Sequence, residues 1–491
     1  MNRFRLALIL PRFTLRKHLR EGLFITALLA SSVLGTALLQ AQPMPIDPLW
    51  KSEQFRKAIT ASYGIDSRIE PVITTNEADI IRDSAAAMAA GNREAAIKVY
   101  RDSSLLPQSP AMLFNLAGLE FENESLETAT ELLNDALELF PNFRDAHRNL
   151  AVAMVRGDDI ETAKVHLYRA VELGARDALT LGLLGYCHAI DEKYQASLDA
   201  YRQALMTSPN EAQWKLGEAQ ALLALNDPEG AASIYGDLLK DTPNDSTLWL
   251  AQADAWVQLD DNLKAIAGLE VARRLGDVPA ASNLGLGHLY VTEGLYQLAS
   301  DRYVDAIVTR ELSPSRALDA LENLVNLEQW PQAREVLTVT EALLRVPTDS
   351  EAGEEAEATA EPEEPAQTEL SEKDTSRLAR AEAMINMRDG DPSEAVQLLE
   401  VHLDKFPLDG QALLLLARFR DQQGEREIAE MLLERASRDP EVEADALREH
   451  GQLLVTALEY EKGLEKLESS LALDPSEALS EYVVAVREMV E

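Results

Sequence analysis

The sequence predicts an all-α chain: a solenoid of about ten to eleven helix–turn–helix repeats behind an N-terminal signal or anchor segment. Three observations predict it. Small residues recur every 34 positions over most of the 491 residues. Large apolar residues stand at fixed places between them, as a shared core requires. Capping residues and prolines fall at the same points of each period, where helices start and stop.

The first element is a targeting segment, residues 1–41. Six bases (Arg3, Arg5, Arg12, Arg16, Lys17 and Arg20) stand against one acid, Glu21, and Leu23–Leu39 then runs for 17 residues without a charge. A basic flank, an apolar run and a small residue, Ala41, describe a secretory signal, with an uncleaved membrane anchor as the alternative. Either way the basic flank stays inside and the rest is exported, so the periplasm, or the periplasmic side of an inner membrane, is the expected location. Residues 42–76 carry Pro43, Pro45 and Pro48 and no period. They are expected to be a spacer or a cap, with a short helix around Trp50–Ser62.

The repeats follow over residues 77–347, about eight of them. Segments that start at Pro110, Arg144, Ala178, Ala212, Ser246, Ala280 and Pro314 align without gaps. Their eighth place reads Ala117, Ala151, Gly185, Ala219, Ala253, Gly287 and Leu321. The twentieth reads Ala129, Ala163, Ser197, Ala231, Ala265, Ala299 and Ala333. The twenty-fourth is large: Leu133, Leu167, Tyr201, Tyr235, Leu269, Tyr303 and Leu337. A residue no larger than a methyl lets two helices approach where they cross, and the large places fill the gaps. Ser109-Pro110 and Ser313-Pro314 read as N-cap and N1 of first helices, Asp227-Pro228 and Asp391-Pro392 of second helices. The units from Glu77 and Pro314 depart most, with Ser84 and Leu321 at the eighth place, and are expected to be irregular or end-capping.

Residues 348–372 interrupt the array with ten acids and no base. Such a stretch buries too little apolar surface to order itself, so an acidic disordered linker is expected, with the last three repeats able to form a separate lobe. The frame resumes over residues 373–475, at Ser376, Gly410 and Ala444. Residues 476–491 predict a capping helix with apolar Leu479, Val483, Val484, Val486 and Val490.

The pattern resembles the tetratricopeptide repeat (TPR) family. The nearest unit is Ala280–Ser313, with Leu286, Gly287, Tyr290, Gly294, Tyr296, Ala299, Tyr303 and Ala306. The resemblance implies a right-handed solenoid that binds protein or peptide along a concave groove. That groove is lined mainly by the second, fifth, ninth, twelfth and thirteenth places of the first helices. It nominates Phe114, Phe121, Arg148, Arg156, Tyr186, Trp214, Gln220, Asp254 and His288. A TPR subset grips a terminal carboxylate with Lys and Asn at the fifth and ninth places. Here those places read Phe114/Gly118, Arg148/Val152 and Gly182/Tyr186, which argues against a chaperone-tail receptor.

Little else carries chemistry. There is no phosphate-binding glycine loop, no nucleophile elbow and no zinc-type histidine pair three or four residues apart on a helix. Cys187, the single cysteine, sits beside His188, but helix neighbours diverge by about 100°, so it is expected in the core. No catalytic, metal or cofactor-binding residue is nominated, and no cofactor. With 46 bases against 84 acids the formal charge is −38, which disfavours nucleic acid as a partner. The expected function is a non-enzymatic scaffold or assembly factor of a bacterial envelope. The partners are proteins or peptides, and the membrane is met only through an uncleaved N-terminus. An inner-membrane-anchored organiser is the first rival, and an enzyme with an unrecognised site is the second.

Overall fold

A computed structural model describes residues 47–50, 66–276, 278–344 and 371–490. The predicted targeting segment and nearly all of the predicted linker lie outside these residues. The described residues hold α-helices, one 3₁₀ turn (Leu106–Gln108) and no strand. They divide into two compact units, with the boundary in the sequence between residues 277 and 278.

The first unit opens with a single helical turn, Asp47–Trp50, and then runs through six helix pairs. These are α1 (Thr75–Ala89) and α2 (Arg93–Arg101), α3 (Pro110–Glu122) and α4 (Leu126–Leu139), and α5 (Arg144–Arg156) and α6 (Ile160–Glu172). They continue as α7 (Ala178–Ile190) and α8 (Tyr194–Thr207), α9 (Ala212–Ala224) and α10 (Pro228–Asp241), and α11 (Ser246–Gln258) and α12 (Asn262–Leu275). The second unit holds α13 (Ala280–Thr292) and α14 (Tyr296–Val308), and α15 (Pro314–Asn326) and α16 (Trp330–Leu344). It continues with α17 (Glu372–Asp389) and α18 (Pro392–Lys405), α19 (Gly410–Gln422) and α20 (Arg426–Ala436), and α21 (Glu443–Thr456) and α22 (Tyr460–Leu473), and ends at α23 (Glu477–Val490).

The frame is in register. First helices begin at Pro110, Arg144, Ala178, Ala212, Ser246, Ala280, Pro314 and Gly410, the first place of each unit. The bend between partners falls on one place, where Glu124, Asp158, Glu192, Asn226, Asp260, Glu328 and Leu458 all have φ between 55° and 66° and Gly294 has 72°. A left-handed residue there reverses the chain between two helices, and glycine adopts it without a steric penalty. Ser109 caps α3 through its hydroxyl, and Asp227 and Asp391 cap α10 and α18. Ser313 stands at the N-cap of α15 without a side-chain bond.

The small places are the core. Ala117, Ala129, Ala151, Ala163, Ala219, Ala231, Ala253, Ala265, Ala299 and Ala333 expose 1% or less. The eighth place answers chiefly to the twenty-fourth. A Cβ at Gly185 would come 2.9 Å from the Tyr201 ring, and one at Gly287 would overlap the Tyr303 ring. Tyr201 is flanked on its other side by Gly217, and Trp214 stacks on it with centroids 6.1 Å apart.

Three further points concern the expected irregularities. At the Pro314 unit Leu321 is fully buried, and α14 packs against α16 more than against α15. Across the acidic stretch, α17 packs directly on α15 and α16. Arg377 of α17 is 9% exposed and takes both carboxylate oxygens of Glu322, at 2.6 and 3.0 Å, and Asp319 at 2.5 Å. Arg334 of α16 reaches Asp389 at 3.1 Å. A separate lobe of three repeats is therefore not how these helices meet: the array continues from α16 to α17. At the C-terminus α23 lies on α22 with Leu479, Val483 and Val486 buried, while Val484 and Val490 face solvent.

Candidate functional site

Within each of the two units, first helices of some neighbouring repeats lie side by side and form a wall, as α7 does with α9 and α17 with α19. The nine nominated residues, which fall in both units, meet three different fates.

Phe114 and Trp214 are core. Phe114 is 2% exposed with its ring 4.9 Å from Phe143, and Trp214 is 1% exposed on Tyr201. Trp214 stands at the third place of its helix, which points inward, and the missing Cβ of Gly182 makes room for its indole. Neither has surface to offer a partner.

Arg148, Asp254 and His288 are buried polar groups. Arg148 lies 3.5 Å from the Asp145 carboxylate and donates to Asn149. His288 Nδ1 faces the Tyr303 hydroxyl at 2.8 Å, with Asn323 Nδ2 donating to that hydroxyl at 3.1 Å. Burial pushes the His288 imidazole down to about 4, so it is neutral at pH 7. Its Nε2 has no partner. Asp254 accepts from Gln258 Nε2 at 3.2 Å through one oxygen, while the other is buried without a partner. Burial pushes this carboxyl up to about 6.

Phe121, Arg156, Tyr186 and Gln220 reach the surface or adjoin it. Arg156, Tyr186 and Gln220 are half-buried. Arg156 and Phe121 are brought together by α5 and α3, and a third residue joins them. The Arg156 guanidinium lies 5.4 Å from the Phe121 ring centroid and 5.9 Å from that of Trp50. Leu49, 7% exposed, belongs to the apolar cluster that holds Phe114, Ala117, Phe121, Val152 and Val155. The helical turn Asp47–Trp50 thus sits on the first-helix wall. Sequence reasoning placed Trp50 in a spacer or a cap on the first repeat and gave no signal for its contact with Arg156, since the segment is aperiodic and distant along the chain.

Two other features are products of the fold. His147 of α5 and His166 of α6 bring their Nδ1 atoms to 2.9 Å, one ring donating to the other. Burial and the neighbouring imidazole push His166 down to about 4. Among the described residues no three His, Cys, Asp or Glu side chains are grouped to hold a metal. A hollow of about 780 Å³ beside Ser376, Arg380, Phe406, Leu408 and Asp439 mixes basic, acidic and apolar groups. Cys187 is buried and its thiol is pushed up to about 12, which leaves it unreactive, and His188 pairs with the Tyr168 hydroxyl at 3.1 Å.

Two stretches of the chain, residues 85–142 and 189–255, match family models described as tetratricopeptide repeat. No curated protein matches the chain. Among solved structures it is similar to YrrB, a TPR protein with an unusual peptide-binding site. The identity is 17%, the match spans 36% of this chain and 90% of that one, and the TM-score is 0.34. It is similar to Pseudomonas aeruginosa pilF at 19% identity, over 40% of this chain and 89% of the other, with a TM-score of 0.34. Against the APC/C hetero-tetramer Cut9-Hcn1 the identity is 12%, over 84% and 96%, with a TM-score of 0.32.

Proposed function

We propose that this chain, which carries tetratricopeptide repeats, is a non-enzymatic scaffold of the bacterial cell envelope that binds a protein or peptide along its first-helix wall. Repeats of this kind are in general protein-interaction modules. The observation that carries the reading for this chain is the wall's existing occupant: it already holds one apolar segment, Leu49–Trp50, against Phe121 and Arg156. A surface that seats one short segment has the shape and chemistry to seat others, with half-buried Tyr186 and Gln220 as polar and aromatic contacts.

The envelope setting is supported by the basic flank and the uncharged Leu23–Leu39 run of the sequence. Among the described residues no helix is long and apolar enough to cross a membrane, and residues 1–41 lie outside them. Replacing Leu28 and Leu29 with Arg should hold the chain in the cytoplasm; export of that variant would contradict the setting. N-terminal sequencing of the exported chain separates cleaved signal from anchor. The binding reading is tested with photo-reactive residues at Tyr186, on the wall, and at Met206, which is 84% exposed on α8. Tyr186 should yield protein adducts in intact cells and Met206 should not. Adducts at neither, together with substrate turnover by the purified chain, would favour the enzymatic alternative.

A further inference from the structure

We propose that the wall at Phe121 and Arg156 is a docking site for an adjacent aliphatic–aromatic pair, and that Leu49–Trp50 is its built-in occupant, displaced when a partner segment of the same chemistry binds. This rests on the reading of the chain as a peptide binder and names the chemistry of one site.

The geometry is that of a ligand in a subsite. Residues Asp47–Trp50 are helical and lie far along the chain from the helices they touch. Leu49 and Trp50 both contribute to the contact. Leu49 is buried in the cluster around Phe114 and Phe121. Trp50 is half-buried and shares the Arg156 cation with Phe121, so the guanidinium lies near the faces of two aromatic rings. An aliphatic anchor followed by an aromatic ring at a cation is therefore what the site selects. Because Leu49–Trp50 is tethered to the wall by the chain itself, it occupies the site at a high effective concentration. Such an occupant excludes weak ligands and yields to a segment that adds contacts further along the wall.

The test uses the full chain and a labelled peptide of residues 43–54, followed by fluorescence anisotropy. Wild-type chain should bind it weakly. The Leu49→Ala/Trp50→Ala chain, its site vacated, should bind it at least about tenfold more tightly. Adding Arg156→Glu, a change at a half-buried position, should abolish that gain. Trp50→Ala alone, which keeps Leu49 in the cluster, gives an intermediate affinity and guards against loss of the fold, checked by circular dichroism. A folded double variant that binds no tighter than wild type, or tight binding that survives Arg156→Glu, would overturn the proposal. So would a wild-type dimer that the peptide dissociates, because the occupant would then come from a second copy. If the peptide fails while Tyr186 still yields adducts in cells, this site assignment falls and the binding function stands.

Discussion

The eighth place of each repeat shows how a single side chain sets the distance between two helices. Gly287 lies directly against the Tyr303 ring, where even a methyl would overlap it. Gly287→Leu should therefore cost about 1–3 kcal/mol by overpacking. Glu293→Leu, at an exposed position six residues on, should cost under about 0.5 kcal/mol. Thermal melts of the two variants check this, and the reverse ranking would mean that the frame is misread. Asp254 makes a second case. Its folded carboxyl titrates near 6 and its unfolded one near 3.8, so the folded state holds the proton more tightly. The penalty for ionising it is complete above pH 6, is relieved as pH falls through the window from 6 to 4, and is absent below that. Asp254→Asn should stabilise the chain at pH 7, on the order of 2–3 kcal/mol. That advantage should shrink to nothing near pH 4. The buried His166 and His288 oppose this trend in both chains, so the difference between variant and wild type across pH isolates the carboxylate. An advantage that grows on acidification would contradict the assignment. The frame made the size of position 287 legible. It could not show the burial of position 254, which depends on neighbours that only the folded array supplies.

At the scale of helices, most of the architecture was written in the period. The alignment marks where eight of the first helices begin, because the small places can pair in only one register. The junction at the acidic stretch was not written there. Composition indicates whether residues 348–372 can pack, and says nothing of whether the helices beside them meet. Those helices meet through Arg377, whose partners lie 55–62 residues back along the chain. Arg377→Ala should cost about 1–3 kcal/mol, less than a fully buried pair because Asp319 is 49% exposed. An acid-directed protease that cuts within residues 348–372 should leave the two products associated through α15, α16 and α17. They should co-elute in size-exclusion chromatography at low salt and separate more readily in the Arg377→Ala chain. Immediate separation of the wild-type fragments would contradict this packing.

At the scale of the molecule, an array of pairs exposes a wall whose chemistry repeats with the sequence. The fixed places that the resemblance nominates do not all put their side chains on that wall. Phe114 and Trp214 have turned inward, His288 is tied to Tyr303, and Trp50, far off along the chain, has been brought in. Fixed places describe where a side chain starts. Where it ends is decided by the size of its neighbours, as with Trp214 over Gly182. The formal charge of −38 repels polyanions. The most direct measurement is a photo-crosslinking scan of the full chain in intact cells along two helices, α7 and α8, and their counterparts α9 and α10. Adducts should recur 34 residues apart at the ninth place, at Tyr186 and Gln220, and be missing from second-helix positions such as Met206. Adducts spread without that period, or confined to second helices, would show that partners do not bind along the first-helix wall.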